Sequence, residues 1–155
     1  MDEIIAKLKS AKECEAFEKN ALNLKRDDLA VAARKRALEF KAQEYGVKSN
    51  AEKECLAAVY AYERVLSAKK GKRQPAHRTW QMIKRHGILG GVERAVNRPN
   101  ETMGYTSLIE MGLQDYAFEA VVLRYPSLFS PQAVERSQAR INEWKSQSLT
   151  IETCD

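Results

Sequence analysis

The signals that start and stop helices constrain the fold of this chain more than any other feature. Residues 10–13 (SAKE) and 49–52 (SNAE) have the form of a capping box, in which a hydroxyl and a carboxylate bind free amides at a helix start. Gly46 and Gly71 follow helical patterns, at the position where a left-handed residue commonly ends a helix. Seven Gly and four Pro in 155 residues are few for an all-β protein. The sequence therefore predicts an all-α fold, a multi-helix bundle of about six to eight helices.

The helical patterns fall into two groups along the chain. Residues 11–70 predict three consecutive helices joined by short turns. Farther on, Ser130-Pro131 begins a last helix that we expect to end near Lys145, with a loose tail after it. We interpret residues 1–70 as an N-terminal helical unit and residues 71–155 as a C-terminal helical unit with the basic segment, or both as one compact domain.

The C-terminal unit contains a stretch whose secondary structure is ambiguous. Residues 102–111 predict a helix that ends at Gly112. Residues 113–125 are apolar nearly all round, a pattern that fits either a strand or a buried helix. The length of this run and the spacing of its polar residues favour a helix that stops at Pro126.

Cysteine usage and hydropathy indicate the compartment. Cys14, Cys55 and Cys154 lie far apart, so neither a disulfide framework nor a zinc site is expected. Cys14 and Cys55 fall within helical patterns, where a buried thiol is the simplest interpretation. No apolar run approaches the roughly 20 residues of a membrane span, and the N-terminus has no signal-peptide pattern. We expect a cytoplasmic protein of bacterial or phage origin, without membrane association, metal or cofactor.

One segment accounts for the net charge of +5. Residues 69–98 contain nine Lys/Arg and one acid, Glu93, which gives a local charge of +8. Residues 1–68 have 13 basic and 12 acidic side chains, and residues 99–155 have 4 and 8. We call residues 69–98 the basic segment. Charge concentrated in this way is typical of a surface that binds a polyanion.

The basic segment predicts a helix with two unlike faces. At 100° per residue, the positively charged side chains of residues 78–86 fall in one sector about 120° wide, opposite Trp80, Met82 and Ile83. The preceding loop, which we expect to be flexible, adds further cations near the same face. The candidate nucleic-acid-binding residues are Lys69, Lys70, Lys72, Arg73, His77, Arg78, Gln81, Lys84, Arg85, Arg94 and Arg98. We predict binding of nucleic acid, DNA in preference to RNA, because arginine pairs with phosphate and with guanine edges.

Alternative interpretations of the same segment stay open at this point. A helix-turn-helix around Gly87 is disfavoured by Met82 and Ile83 in its first helix and by Gly90-Gly91 at the start of its second. Trp80 could stack on a base, although its alignment with Ile83 favours a core anchor. The cations could also face an acidic protein or a second copy of the chain, or they could be only solvated. An acidic, aromatic C-terminal part allows a helical adaptor or regulatory protein.

Catalytic signals are weak in this chain. His77 and His86 are its two histidines, and His86 is expected either to be packed or to lie at a helix end. A metal-dependent nuclease would need clustered carboxylates, and Glu93, Glu101 and Glu110 do not form such a cluster in sequence. Patterns of restriction-type nucleases, P-loops and serine hydrolases are not found. We therefore predict that the protein is not an enzyme.

Overall fold

The computed structural model describes residues 3–47, 49–98 and 105–153. Within these ranges the chain forms eight α-helices, two short 3-10 helices and no strand, which confirms the predicted all-α class. The α-helices are α1 (Glu3–Ala6), α2 (Ala11–Asn23), α3 (Asp27–Tyr45), α4 (Asn50–Lys70), α5 (His77–Val96), α6 (Tyr105–Glu110), α7 (Phe118–Arg124) and α8 (Pro131–Thr153). The 3-10 helices span Gln114–Tyr116 and Pro126–Leu128.

Local side-chain chemistry sets the ends of the first long helices. The hydroxyls of Ser10 and Ser49 accept the backbone N–H three residues later, at 3.1 and 3.2 Å, at the starts of α2 and α4. Gly46 and Gly71 end α3 and α4 with φ of 93° and 72°. Both values lie in the left-handed region, where a side chain would clash with the backbone. The predicted helix starts and glycine ends are confirmed.

Helix α4 lies at the centre of the core. It contacts α3, α5, α6 and α7, and it supplies residues to each of three clusters of buried apolar side chains. In the first cluster Leu56 of α4 joins Leu38 of α3 and Leu113. In the second, Cys55 of α4 joins Val92 of α5 and residues of α7 and α8. The core thus draws on both sides of residue 70, and the predicted boundary there stays a prediction.

Two predicted elements differ from the structure. The single helix expected over residues 113–125 is broken at Ala117, whose backbone is extended with ψ of 145°. The break lets Leu113 and Ala117 enter the first cluster while Val121 and Val122 enter the second. The loose tail expected after Lys145 is also wrong, because α8 continues to Thr153 with no Gly or Pro to stop it. Of the helix expected over 102–111, residues 105–110 are helical, and residues 102–104 lie outside the described residues.

Helix α5 bends sharply at Gly87. This residue has φ of 81° and ψ of 172°, a conformation that is essentially restricted to glycine. A Cβ atom on Gly91 would lie 2.6 Å from Cγ1 of Ile83 and 3.1 Å from its Cα. Eight residues along a straight helix are about 12 Å apart, so the chain must fold back to bring these two residues together. Gly87 and Gly91 therefore allow residues 88–96 to pack against residues 77–86.

We expect Gly91→Ala to destabilise the protein by about 1–3 kcal/mol, because the added methyl group overlaps the buried Ile83 side chain. Gly90→Ala is the matched control: its Cβ would meet only Cβ of the exposed His86, at 3.0 Å. Better helix propensity should offset that contact and keep the change within about 1 kcal/mol. Urea unfolding of the two variants measures the difference, and equal stability would show that the close approach at Gly91 does not exist.

The structure also bears on the predictions made for the cysteines and for membrane-spanning helices. Cys14 and Cys55 are fully buried free thiols, as predicted, and Cys154 lies outside the described residues. Burial raises the pKa of the Cys55 thiol to about 12, since the thiolate loses its solvation. Of the helices in the described ranges, none has the length and apolar character needed to cross a membrane.

Candidate nucleic-acid interface

The first half of α5 has the two faces that its sequence predicts. Thr79 and Ile83 point into the protein, with 3% and 5% of their surface exposed. The opposite sector presents exposed side chains, which are those of His77, Arg78, Gln81, Lys84 and Arg85. A helix that buries one stripe and exposes the other holds its outward side chains at fixed spacing.

Trp80 fixes this helix to the body of the protein. Its indole Nε1–H donates to Oε2 of Glu63 on α4 at 2.8 Å, and the same oxygen accepts the backbone N–H of Ala76 at 2.8 Å. The Trp80 ring stacks on Tyr45, with centroids 5.9 Å apart, and meets Tyr60 at 5.3 Å. Trp80 is thus a packed anchor, as the sequence favoured, and its ring contacts protein aromatics.

The loop before α5, which the sequence predicted to be flexible, makes two backbone hydrogen bonds to side chains of α4. The backbone N–H of Gln74 donates to Oγ of Ser67 at 2.9 Å, and Glu63 holds the N–H of Ala76. These bonds tie the loop to the last turns of α4 because Ser67 and Glu63 lie on one side of that helix. Lys72 and Arg73 are exposed on this loop.

Glu93, the single acid of the basic segment, binds another part of the protein. Oε1 of Glu93 accepts the backbone N–H of Ser130 at 2.6 Å, at the residue that caps α8. A carboxylate is favoured there by the positive end of the helix dipole. Glu93 therefore binds at the start of α8, away from the outward face of α5. Its negative charge stabilises that helix start.

Most arginines of the described residues fall into two classes: some are bound to an acid or a carbonyl of the protein, and others have no bond to another described residue. Arg34 and Arg64 bind Glu18, Arg124 binds Glu54, and Arg140 binds Glu119. By contrast, several candidate side chains make no hydrogen bond or ion pair with any other described residue; these are Lys70, Lys72, Arg73, Arg78, Gln81, Lys84, Arg85 and Arg94. All eight are exposed. The seven cations among them are therefore available to an external partner.

Three candidates lie in different surroundings. Arg98 is half-buried, with Nη2 3.1 Å from Sδ of Met82, and its carbonyl accepts from Arg140. Lys69 is exposed and interacts with another residue of the protein. His77 is exposed at the first position of α5, without such an interaction. The exposed cations without a partner among the described residues therefore come mainly from the loop before α5 and from residues 77–86. We call those on residues 77–86 the α5 row.

The structure agrees with the expectation that α5 is not a helix-turn-helix, and it places His86 at the end of the first half of that helix. His86 is exposed, so its side chain is not packed, and it is the last residue before the break at Gly87. The two halves of α5 are separated by a one-residue break, whereas a helix-turn-helix has a turn of three or four residues. In the part of the chain that the structure covers, His, Cys, Asp and Glu side chains form no group of three that could hold a metal ion.

A cleft that the sequence did not indicate adjoins the basic segment. It has a volume of about 770 Å³ and lies between α2, α3, α4 and the loop before α5. At its wall, Glu18 of α2 accepts Nε of Arg34 at 2.8 Å and Nη1 of Arg64 at 2.9 Å. Arg73 of the basic segment lines the same cleft.

Sequence patterns could not locate this cleft, because its walls come from four separate elements. One signal for it was present in the sequence. Glu18 lies on the same face of α2 as the buried Cys14 and Ala21, and a carboxylate among apolar residues indicates a buried charge that needs a partner. Searches with this chain find no matching family model, no matching curated protein and no matching solved structure.

Proposed function

We propose that the protein binds nucleic acid through the exposed cations of residues 70–85. The observation that supports this most is the contrast between the two classes of arginine. Those elsewhere in the described chain bind acids or carbonyls, whereas Arg78 and Arg85 have no partner among the described residues. Cations on a helix lose less backbone freedom than cations on a flexible tail when they meet phosphates.

The length of the α5 row is comparable to the spacing of several phosphates along a nucleic-acid strand. Arg78 and Arg85 are seven residues apart, about 10 Å along the helix axis. One strand of a duplex rises about 3.4 Å per phosphate along its axis, so this row is as long as the axial rise of about three phosphates. Lys72 and Arg73 on the anchored loop extend the same cationic region towards α4.

A salt titration tests the proposal directly. Binding of labelled duplex DNA, single-stranded DNA and RNA of equal length is measured between about 50 and 200 mM salt, with and without Mg²⁺. Six cations (Lys70, Lys72, Arg73, Arg78, Lys84 and Arg85) should give slopes of log K against log salt of about −5 for duplex and about −4 for single strands. Comparison of the DNA and RNA slopes and affinities tests the expected preference for DNA.

Three results would contradict this function. The first is absence of binding at the lowest salt, and the second is equal binding of polyglutamate, which would indicate an acidic protein partner instead. The third is strand cleavage in Mg²⁺, which would replace a binding protein with a nuclease.

The adaptor alternative has no specific observation in its favour. It calls for exposed aromatic side chains in the C-terminal part. The aromatic residues that the structure describes beyond residue 104 are buried or half-buried; they are Tyr105, Tyr116, Phe118, Tyr125, Phe129 and Trp144. Two of them, Tyr105 and Trp144, stack on each other with centroids 4.0 Å apart.

A further inference from the structure

The cleft beside the basic segment has an exposed aromatic ring on its wall. Tyr45 is 49% exposed, although it lies at the end of a helix whose apolar residues are otherwise packed. Its ring is nearly parallel to that of Trp80, with an interplanar angle of 14°. Since Trp80 is held by Glu63 and by Tyr60, the Tyr45 ring rests on a rigid support.

Cations line the same cleft as this ring. Lys19 and Arg73 line the cleft, are exposed and have no partner among the described side chains. Arg64 uses only Nη1 to bind Glu18, so its Nε and Nη2 donors are left for a ligand.

The acids of the cleft are largely occupied within the protein. Glu18 is shared by two guanidinium groups, and Glu15 binds Nζ of Lys41 at 3.2 Å. Glu63 accepts two N–H donors, which leaves Glu44 as the acid without a partner among the described lining residues. The described lining has five Lys/Arg against four Glu, a net charge of +1 before the neighbouring basic segment is added.

We infer that this cleft accepts an unpaired base of a single-stranded nucleic acid, stacked on Tyr45, with the adjacent phosphates bound by Arg64 and Arg73. The inference rests on the nucleic-acid binding proposed above and names its preferred form. An exposed aromatic ring can stack on any base through its π-face, and cations in the same cleft can bind the neighbouring phosphates. A base paired within a duplex cannot reach such a ring unless it leaves the stack, which costs a few kcal/mol. The cleft thus favours single strands, while the α5 row binds either form.

Substitution of Tyr45 tests the inference on an oligothymidine strand and on a hairpin duplex of the same length. Tyr45→Ala should weaken binding of the single strand about tenfold and leave duplex binding unchanged. Tyr45→Phe should bind within about twofold of the parent, since it keeps the ring. Leu24→Ala, which removes an apolar side chain that is 75% exposed and not part of the cleft lining, is the matched control.

The outcomes separate this inference from the broader function. If the parent binds no nucleic acid, both fail. If the parent binds with the expected salt dependence but Tyr45→Ala changes nothing, or weakens strand and duplex equally, only the stacking site fails. Photocrosslinking of a 5-iodouracil strand to the parent protein, with the site mapped by peptide mass spectrometry, needs no substitution. A crosslink at Tyr45 supports the site, and crosslinks only to residues outside the cleft overturn it.

Discussion

Arg78→Glu combined with Arg85→Glu is expected to weaken nucleic-acid binding by on the order of 100-fold or more and to flatten its salt dependence. Each lost phosphate contact removes about 0.9 from the salt slope on duplex DNA, and each new carboxylate repels the backbone. The fold should be unchanged, because both side chains are exposed and have no partner among the described residues. Titration of duplex and single-stranded probes, together with thermal melting, measures the two effects separately.

A matched variant separates position from total charge. Lys12→Glu with Lys145→Glu lowers the net charge from +5 to +1, the same change as the arginine pair, at exposed positions outside the basic segment. We expect this variant to retain most of the affinity for nucleic acid. At physiological salt, solvent ions screen the interaction between the phosphates and exposed charges that lie away from the binding surface. If the arginine variant binds all probes as the parent does, or if both variants lose affinity equally, the outward face of α5 is not the binding surface.

Glu18→Ala is expected to destabilise the protein by about 3 kcal/mol. Glu18 joins three helices, because it extends from α2 to Arg34 on α3 and Arg64 on α4. These side chains are only 11%, 12% and 21% exposed. Removal of the carboxylate leaves two guanidinium groups close together and poorly solvated, which is the most costly way to break a buried ion pair. Urea unfolding, with the slope checked for a constant two-state transition, gives the change.

Glu15→Ala is the control for this prediction. Glu15 also connects α2 to α3, through Lys41 at 3.2 Å, but the two side chains are 46% and 36% exposed. Solvent screens such a pair, so its loss should cost less than about 1 kcal/mol. Glu18→Gln, which keeps an acceptor and loses the charge, should fall between the two. Equal losses for Glu15→Ala and Glu18→Ala would mean that the Glu18 cluster does not hold the helices together.

Much of the basic surface could be predicted from sequence, since helical spacing alone separates Arg78 and Arg85 from Ile83. The partners of Glu93 and Trp80 could not be predicted in this way. Glu93 binds a residue 37 positions away, and Trp80 binds Glu63 across 17 positions. The break at Ala117 was missed for a related reason, because two separate core clusters compete for one apolar run.

The amino-acid sequence by itself determined the helical class, the starts of α2 and α4 and the placement of charge in one segment. These properties depend on interactions within about four residues, such as a serine capping an amide or side chains sharing a helix face. Only the tertiary structure decided which charges are left for a partner and where the cleft lies. Arg64 and Glu18 are 46 residues apart, and whether two such groups neutralise each other depends on how the helices pack. The same packing covers Trp80 and leaves Tyr45 exposed beside the basic loop.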